Sequence, residues 1–282
     1  MTITMSPSST SAPPRRVRPG VILATAFLVL MLAWAVAPGA FTSATPYDTD
    51  IEHPLKPPSF EHWFGTDASG RDIFTRVVHG TQSSLAIGVG ATALALLTAI
   101  ILGFGAGLGG RFADGAISRL IEVVLSIPGL LLALVFIAML GPGVVTQILA
   151  VAIGSAVGYA RMVRGQVLAV KDSGYVHAAT ALGHSPKHII CRHVFPNAMR
   201  PLVVLGTMGI GQSIVWASSL SFLGLGVAPP APEWGAMLNA GRDFVSTAWW
   251  LELFPGLAIV GCTLAVTVVG RYLQQRLEGR LR

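Results

Sequence analysis

Four histidines, His177, His184, His188 and His193, gather in one stretch of this 282-residue chain. Imidazole is a common metal ligand and a frequent general base. His184 and His188 stand four apart, the spacing of one helix face. Gly183 and the pair Ser185-Pro186, however, place a helix boundary beside His184. No cysteine or carboxylate set completes a site, so metal binding is not expected here. Lysine occurs only at Lys56, Lys171 and Lys187, and none follows a glycine. A phosphate-binding G-x-x-x-x-G-K-[ST] loop is therefore missing, as are H-E-x-x-H and G-x-S-x-G. Cys191 and Cys262 are too few for a disulfide framework and read as unpaired thiols. Glu122 follows Arg119 by three residues, which an ion pair along a helix explains. No run of acids resembles a proton or sodium relay. The residues thus offer no catalytic set, no cofactor site and no ATP motor.

The elements that would hold such residues point to a membrane. Of the chain, 52% is apolar and 11% charged, against about 25% charged in soluble domains. Mean hydropathy is +0.66. These values exclude a disordered chain, a coiled coil and an ordinary water-soluble enzyme. The net charge of +6 raises nucleic-acid binding, but the basic residues fall between apolar blocks, as membrane topology requires, so no nucleic acid is expected.

Charge is costly in hydrocarbon, so uncharged stretches mark spans. There are five: 19–47, 77–110, 123–160, 201–232 and 253–270. The third has 38 residues, about 57 Å as one helix against a core of about 30 Å. It must fold back, and Gly141-Pro142-Gly143 supplies the break. The expected fold is all-α, with six transmembrane helices near 21–41, 83–108, 117–140, 144–160, 200–226 and 249–270. With the N-terminus inside, 15 of the 19 Lys and Arg lie on the inner side; only Lys56, Arg71, Arg76 and Arg242 lie outside. Both termini are then cytoplasmic. Trp249 and Trp250 would mark the outer interface. The N-terminal run resembles a signal peptide ending at Ala37, but Pro38 follows, and an uncleaved anchor is expected.

The chain divides accordingly. Residues 1–18 read as a disordered cytoplasmic tail, 19–41 as a first anchor helix and 42–82 as an extracytoplasmic segment. Residues 83–272 form a five-helix core with a cytoplasmic loop at 161–200 and an extracytoplasmic loop at 227–247. Residues 273–282 are a basic tail. Glycines four apart at Gly103 and Gly107, and at Gly154 and Gly158, suggest close helix packing.

The inner loop is too long to be structureless. Asp172 or Ser173 caps a short helix through residues 175–182, Gly183 ends it, and Ser185 with Pro186 starts a second. Pro196 interrupts the chain before the fifth span. Ala178 and Ala179 would let another surface approach closely.

This loop resembles the EAA loop of ABC importer permeases: Ala178, Ala179, Gly183, His193, Pro196 and Asn197 match, while His177 stands where that pattern has glutamate. The segments FGTDASGRDIFTRVVHGTQSSL at 64–85 and SFLGLGVAPPAPEWGAMLNAGR at 221–242 are similar to hallmark stretches of the dipeptide/oligopeptide/nickel permeases, C-type subunit. The tail GRYLQQRLEGRLR departs from that family's acidic ending. The resemblance implies a type I ABC importer permease fold in the plasma (inner) membrane. It implies a homologous second permease, two cytoplasmic ATPases that hold ATP and Mg, an extracytoplasmic substrate-binding protein and surrounding lipid. On that reading Tyr175, His177, Ala178, Ala179, Leu182, Gly183, His184 and Ser185 contact the ATPase.

Outside, Asp67 is expected to cap an amphipathic helix over 68–79, with an Asp72–Arg76 pair along it. The resemblance adds a receptor-facing role for Asp67, Arg71 and Asp72, and Trp234 and Met237 stand in a Pro/Gly-rich loop at the outer gate. On the fifth span, Gln212 and Ser213 are the polar candidates for a translocation path. The competing functions are a self-powered channel or secondary transporter and a histidine-based membrane hydrolase. The first would carry more intramembrane ionisable groups, and the second needs a nucleophile–base motif that the chain lacks.

Overall fold

A computed structural model describes residues 19–277; the N-terminal tail and the last part of the basic tail lie outside the described residues. The described residues are helical apart from loops and one isolated bridge between Thr66 and Asp72. Helix α1 (Pro19–Val36) is followed by a long connection to α2 (Ile73–Leu108). Next come α3 (Gly110–Ser126), α4 (Gly129–Leu140) and α5 (Val144–Lys171). A hairpin of α6 (Gly174–Ala181) and α7 (Pro186–Ile189) runs through a π-helical turn, Ile190–Val194, into α8 (Phe195–Phe222). Helix α9 (Trp234–Gly241) and α10 (Trp250–Leu277) complete the order.

Five helices or helical runs are long and apolar enough to cross a membrane, and α3 with α4 forms a sixth only as a bent pair. The single helix expected over 117–140 is therefore corrected. Pro128 lacks an N–H, and Ile127 before it is extended at φ −87°, ψ 123°. The chain turns by 89° there. The break expected at 141–143 stands, with Gly141 at φ +78° and Gly143 at φ +159°.

Several helices overrun their uncharged stretches. Helix α2 has 36 residues, about 54 Å, so its first turns continue beyond the hydrocarbon. Helix α5 carries Arg161, Arg164 and Lys171 on its continuation past the expected end at 160. Charge limits how far a helix can sit in lipid, not how far it can run.

Helix α2 packs chiefly along α5, and α8 lies between α2 and α10. The α2–α5 seam is close because Gly103 and Gly107 have no side chain: a Cβ there would sit 2.5 Å from Val163 and Val167 carbons. Three apolar clusters fill the body. One joins α1, α2, α8, α9 and α10 around Trp234, Trp250 and Ile214. A second gathers Val163, Val167, Val176, Ala179 and Val194 beneath the α6–α7 hairpin. The third, around Ile87, Ala91 and Ala152, fills the middle of α2, α5 and α8.

Candidate functional site

Three regions hold the candidate residues: the α6–α7 hairpin at one end, a platform of residues 42–72 with α9 at the other, and a cleft on the flank of α4, α5 and α8.

The hairpin follows its local signals. Ser173 is extended ahead of α6, although its side chain bonds back to the Val170 carbonyl rather than capping. Gly183 adopts φ +79°, and the amides of Gly183 and His184 close the helix on Thr180 and Ala179 carbonyls. Ser185 accepts from the His188 amide at 3.4 Å, with Pro186 in the first turn. Asn197 donates to the His193 carbonyl at 2.7 Å. Pro196 stands in the first turn of α8 and does not interrupt it.

The hairpin separates the two alanines. Val176 and Ala179 are buried against α5 and the π turn, Ala179 at 6% exposure. Tyr175, His177, Ala178, Leu182, Gly183, His184 and Ser185 are exposed, Leu182 at 77%. Ala179 is thus a packing residue, and the open face belongs to Tyr175, Ala178 and Leu182, one helical turn apart. The His184 and His188 rings stack at 4.7 Å, with His193 6.0 Å beyond. Among the described residues no group of three or more His, Cys, Asp or Glu is arranged to hold a metal.

The platform departs from the sequence reading. The helix expected over 68–79 begins only at Ile73, as the start of α2. Asp67 does not cap a helix. Its carboxylate accepts from the amides of Ser69 and Arg71 and from the Arg71 Nε at 2.7 Å. Asp72 is the residue that caps α2, accepting from the Thr75 amide at 2.7 Å, and its other oxygen meets His62 at 3.1 Å. The expected Asp72–Arg76 pair does not form. Arg76 is buried and donates to the carbonyls of Pro46 and Pro230, with Asp67 3.7 Å away. A buried guanidinium must satisfy its donors, and two loops supply them.

Trp234 and Met237 are buried, Trp234 completely, so neither presents its side chain to the surface of this chain. The Trp234 Nε1 donates to the Val77 carbonyl, and its amide to Ser84. Trp250 likewise is not an interfacial ring. It is buried and donates to the Thr66 carbonyl, while Trp249 is exposed. Sequence reasoning missed Glu233, which is buried and caps α9 through the Gly235 and Ala236 amides. An acid directly before Trp-Gly-Ala at a helix start was its signal. It also missed Gln147, buried on α5, which donates to Ala217 and Ser221 of α8. Nothing in the local pattern marks that residue.

The cleft has a volume of about 420 Å³ and is walled by small residues of α4 and α5 and by Gln212 and Trp216 of α8. Ser213, one residue on, points the other way and is buried in the α2–α8 seam, where its hydroxyl meets that of Thr92 at 3.0 Å. The two path candidates therefore divide: Gln212 faces the cleft and Ser213 holds helices together. Gly154 and Gly158 do not pack within the chain; a Cβ on either would meet nothing within 4 Å.

Comparison with known proteins agrees with this architecture. The model of the family described as "Binding-protein-dependent transport system inner membrane component" matches residues 99–282. A dipeptide transport system permease of Alkalihalophilus pseudofirmus is 38% identical over 93% of this chain and 85% of its own. A glutathione transport system permease of Shigella flexneri is 42% identical over 95% and 89%. Among solved structures, an inward-facing MetNI methionine ABC transporter chain aligns with TM-score 0.59 at 18% identity, covering 72% of this chain and 96% of its own. An amino acid ABC transporter chain aligns at 0.56 and 18%, covering 73% and 94%. The fold is that of type I importer permeases, and the chain belongs to the binding-protein-dependent transport system inner membrane components, multi-pass proteins of the inner membrane.

Proposed function

We propose that this chain is the C-type permease subunit of an ATP-driven importer of di- or oligopeptides or a related small substrate. The observation that carries this reading is the match, across more than nine-tenths of the chain, to permeases named for dipeptide and glutathione transport. The exposed face of the α6–α7 hairpin supports it, because a capped helical hairpin with an uncovered Leu182 suits a protein partner better than water.

In this reading the hairpin end is cytoplasmic, as the basic residues require. It meets one of two ATPases, which bind ATP and Mg and perform the hydrolysis; this chain is not an enzyme. Tyr175, His177, Ala178, Leu182, His184 and Ser185 form the contact, and Ala179 and Gly183 hold its shape. A homologous second permease completes the path, lipid surrounds the pair, and Gln212 faces the passage. A substrate-binding protein docks on the platform at the other end, where Asp67, Arg71 and Asp72 organise the surface. Approach of the ATPases favours one of two permease conformations, and the hairpin carries that bias through the π turn into α8. A partner shifts such an equilibrium only by its differential affinity for the two states.

Purification of the tagged chain from its native membrane in mild detergent, followed by mass spectrometry, tests the assembly. A second permease and ATP-binding subunits are expected. A chain recovered alone that retains uptake after reconstitution would instead favour a channel or secondary transporter.

A further inference from the structure

We infer that the cleft of α4, α5 and α8 is a binding subsite for the uncharged amide portion of a passing peptide, with Gln212 and Tyr159 as its recognition groups. The inference rests on the importer reading above and adds a ligand chemistry to it. Three polar residues line the cleft: Ser155 and Tyr159, both half-buried, and Gln212, which is exposed in this chain. None of these side chains hydrogen-bonds within the described residues. Polar groups at membrane depth ordinarily find a partner, so three unpaired polar side chains along one cleft leave room for a ligand to supply the bonds.

The walls define what fits. No charged side chain lines the cleft, so it offers nothing to neutralise a carboxylate or an ammonium in a low dielectric. A carboxamide offers both a donor and an acceptor, the complement of a peptide bond. The Tyr159 ring crosses from α5 to α8, where a Cβ on Gly209 would lie 2.7 Å from its hydroxyl. The Trp216 ring reaches from α8 to α4, 3.8 Å from a Cβ position on Gly129. Met162 and Trp216 add apolar surface for a side chain. A volume of about 420 Å³ falls in the range of small-molecule sites.

The test uses the complete reconstituted importer with its own binding protein. Initial uptake rates are compared for a dipeptide and for the same dipeptide methylated on its amide nitrogen, which loses the donor. The binding protein is the same throughout, so a change in the ratio of the two rates reports on the permease. Gln212→Ala is expected to shrink that ratio about fivefold, the size of one neutral hydrogen bond. Gln212→Asn should restore part of it, and Tyr159→Phe should shift it in the same direction. Val145→Ala, on an exposed flank of α5 away from the cleft, should leave it at the wild-type value. A ratio unchanged in both Gln212→Ala and Tyr159→Phe overturns the subsite. So does loss of the second permease from the complex on Gly158→Leu with the Gln212→Ala ratio unchanged, which would make the cleft a subunit seam. Absence of uptake of any di- or oligopeptide by the wild-type complex would overturn the peptide-importer reading itself, and the subsite with it.

Discussion

The two ends of this molecule are built on opposite principles. At the α9 end, segments separated by up to 184 residues are tied by buried donors: Arg76 to Pro46 and Pro230, Trp234 to Val77, and Trp250 to Thr66. Phe64 stacks on Phe254 at 3.9 Å. Within the α6–α7 hairpin the bonds are local, mostly three to five residues apart, and much of the hairpin is exposed. Long-range ties make a rigid platform, because no one segment can move without breaking bonds to the others. Local ties make a unit that can keep its own shape while moving as a whole. The hairpin joins α8 through a π turn, a geometry frequent at functional sites.

The contrast can be broken most severely at the platform. Trp234→Ala removes a completely buried ring and its Nε1 hydrogen bond to the Val77 carbonyl of α2. It should cost about 3–5 kcal/mol, read as a large fall in the melting temperature of the purified protein. Gly70 sits at φ +75° with its Cβ position against the Asp50 carbonyl oxygen. Gly70→Ala should therefore destabilise the same end, more than a Gly→Ala change on an open helix face such as Gly154, where the added methyl meets nothing.

The hairpin should separate stability from transport. Ala179→Leu overpacks a buried site and should cost about 1–3 kcal/mol of stability. Ala178→Leu, on the exposed face, should leave the melting temperature near wild type yet lower uptake per ATP hydrolysed by about tenfold, the scale of an allosteric coupling. If Ala178→Leu leaves that stoichiometry intact, the open face is not the contact. Ser185→Ala removes one cap and should cost about 1 kcal/mol, measured as faster proteolysis of the hairpin. The smallest effect lies in the exposed part of the platform. The His53 ring, hydrogen-bonded to Asp50, holds that carboxyl below its ordinary value near 3.8. Its folded pKa is the lower one, so the contribution is present above the unfolded pKa and lost as pH falls through the folded one. Asp50→Asn should therefore slightly flatten the loss of stability in melting curves below pH 3.8.

Where the sequence was sufficient, the determinant was local. Ser185, Pro186 and Gly183 act on amides a few residues away, and the hairpin they specify is present. The spans were found because hydrocarbon excludes charge regardless of the neighbours. Their ends were misplaced where the helix continued past the lipid, as at Ile73 and Lys171. The platform was misread for the converse reason. Asp67 and Arg76 carry the charges of a helix-face pattern, yet Asp67 bonds within its own turn and Arg76 bonds to carbonyls 30 and 154 residues distant.

By itself, then, the sequence determined a polytopic membrane body, the break at 141–143 and a capped hairpin, since each follows from solvent exclusion or from bonds within one turn. Its resemblances pointed to the family that the comparisons establish. Only the tertiary structure decided that Ala179 faces in and Ala178 out, that Trp234 is buried, and that Gln212 faces the cleft while Ser213 is buried against Thr92. Those outcomes depend on which helices meet. Adjacent residues on a helix point about 100° apart, so a neighbour that buries one side chain leaves the next one open.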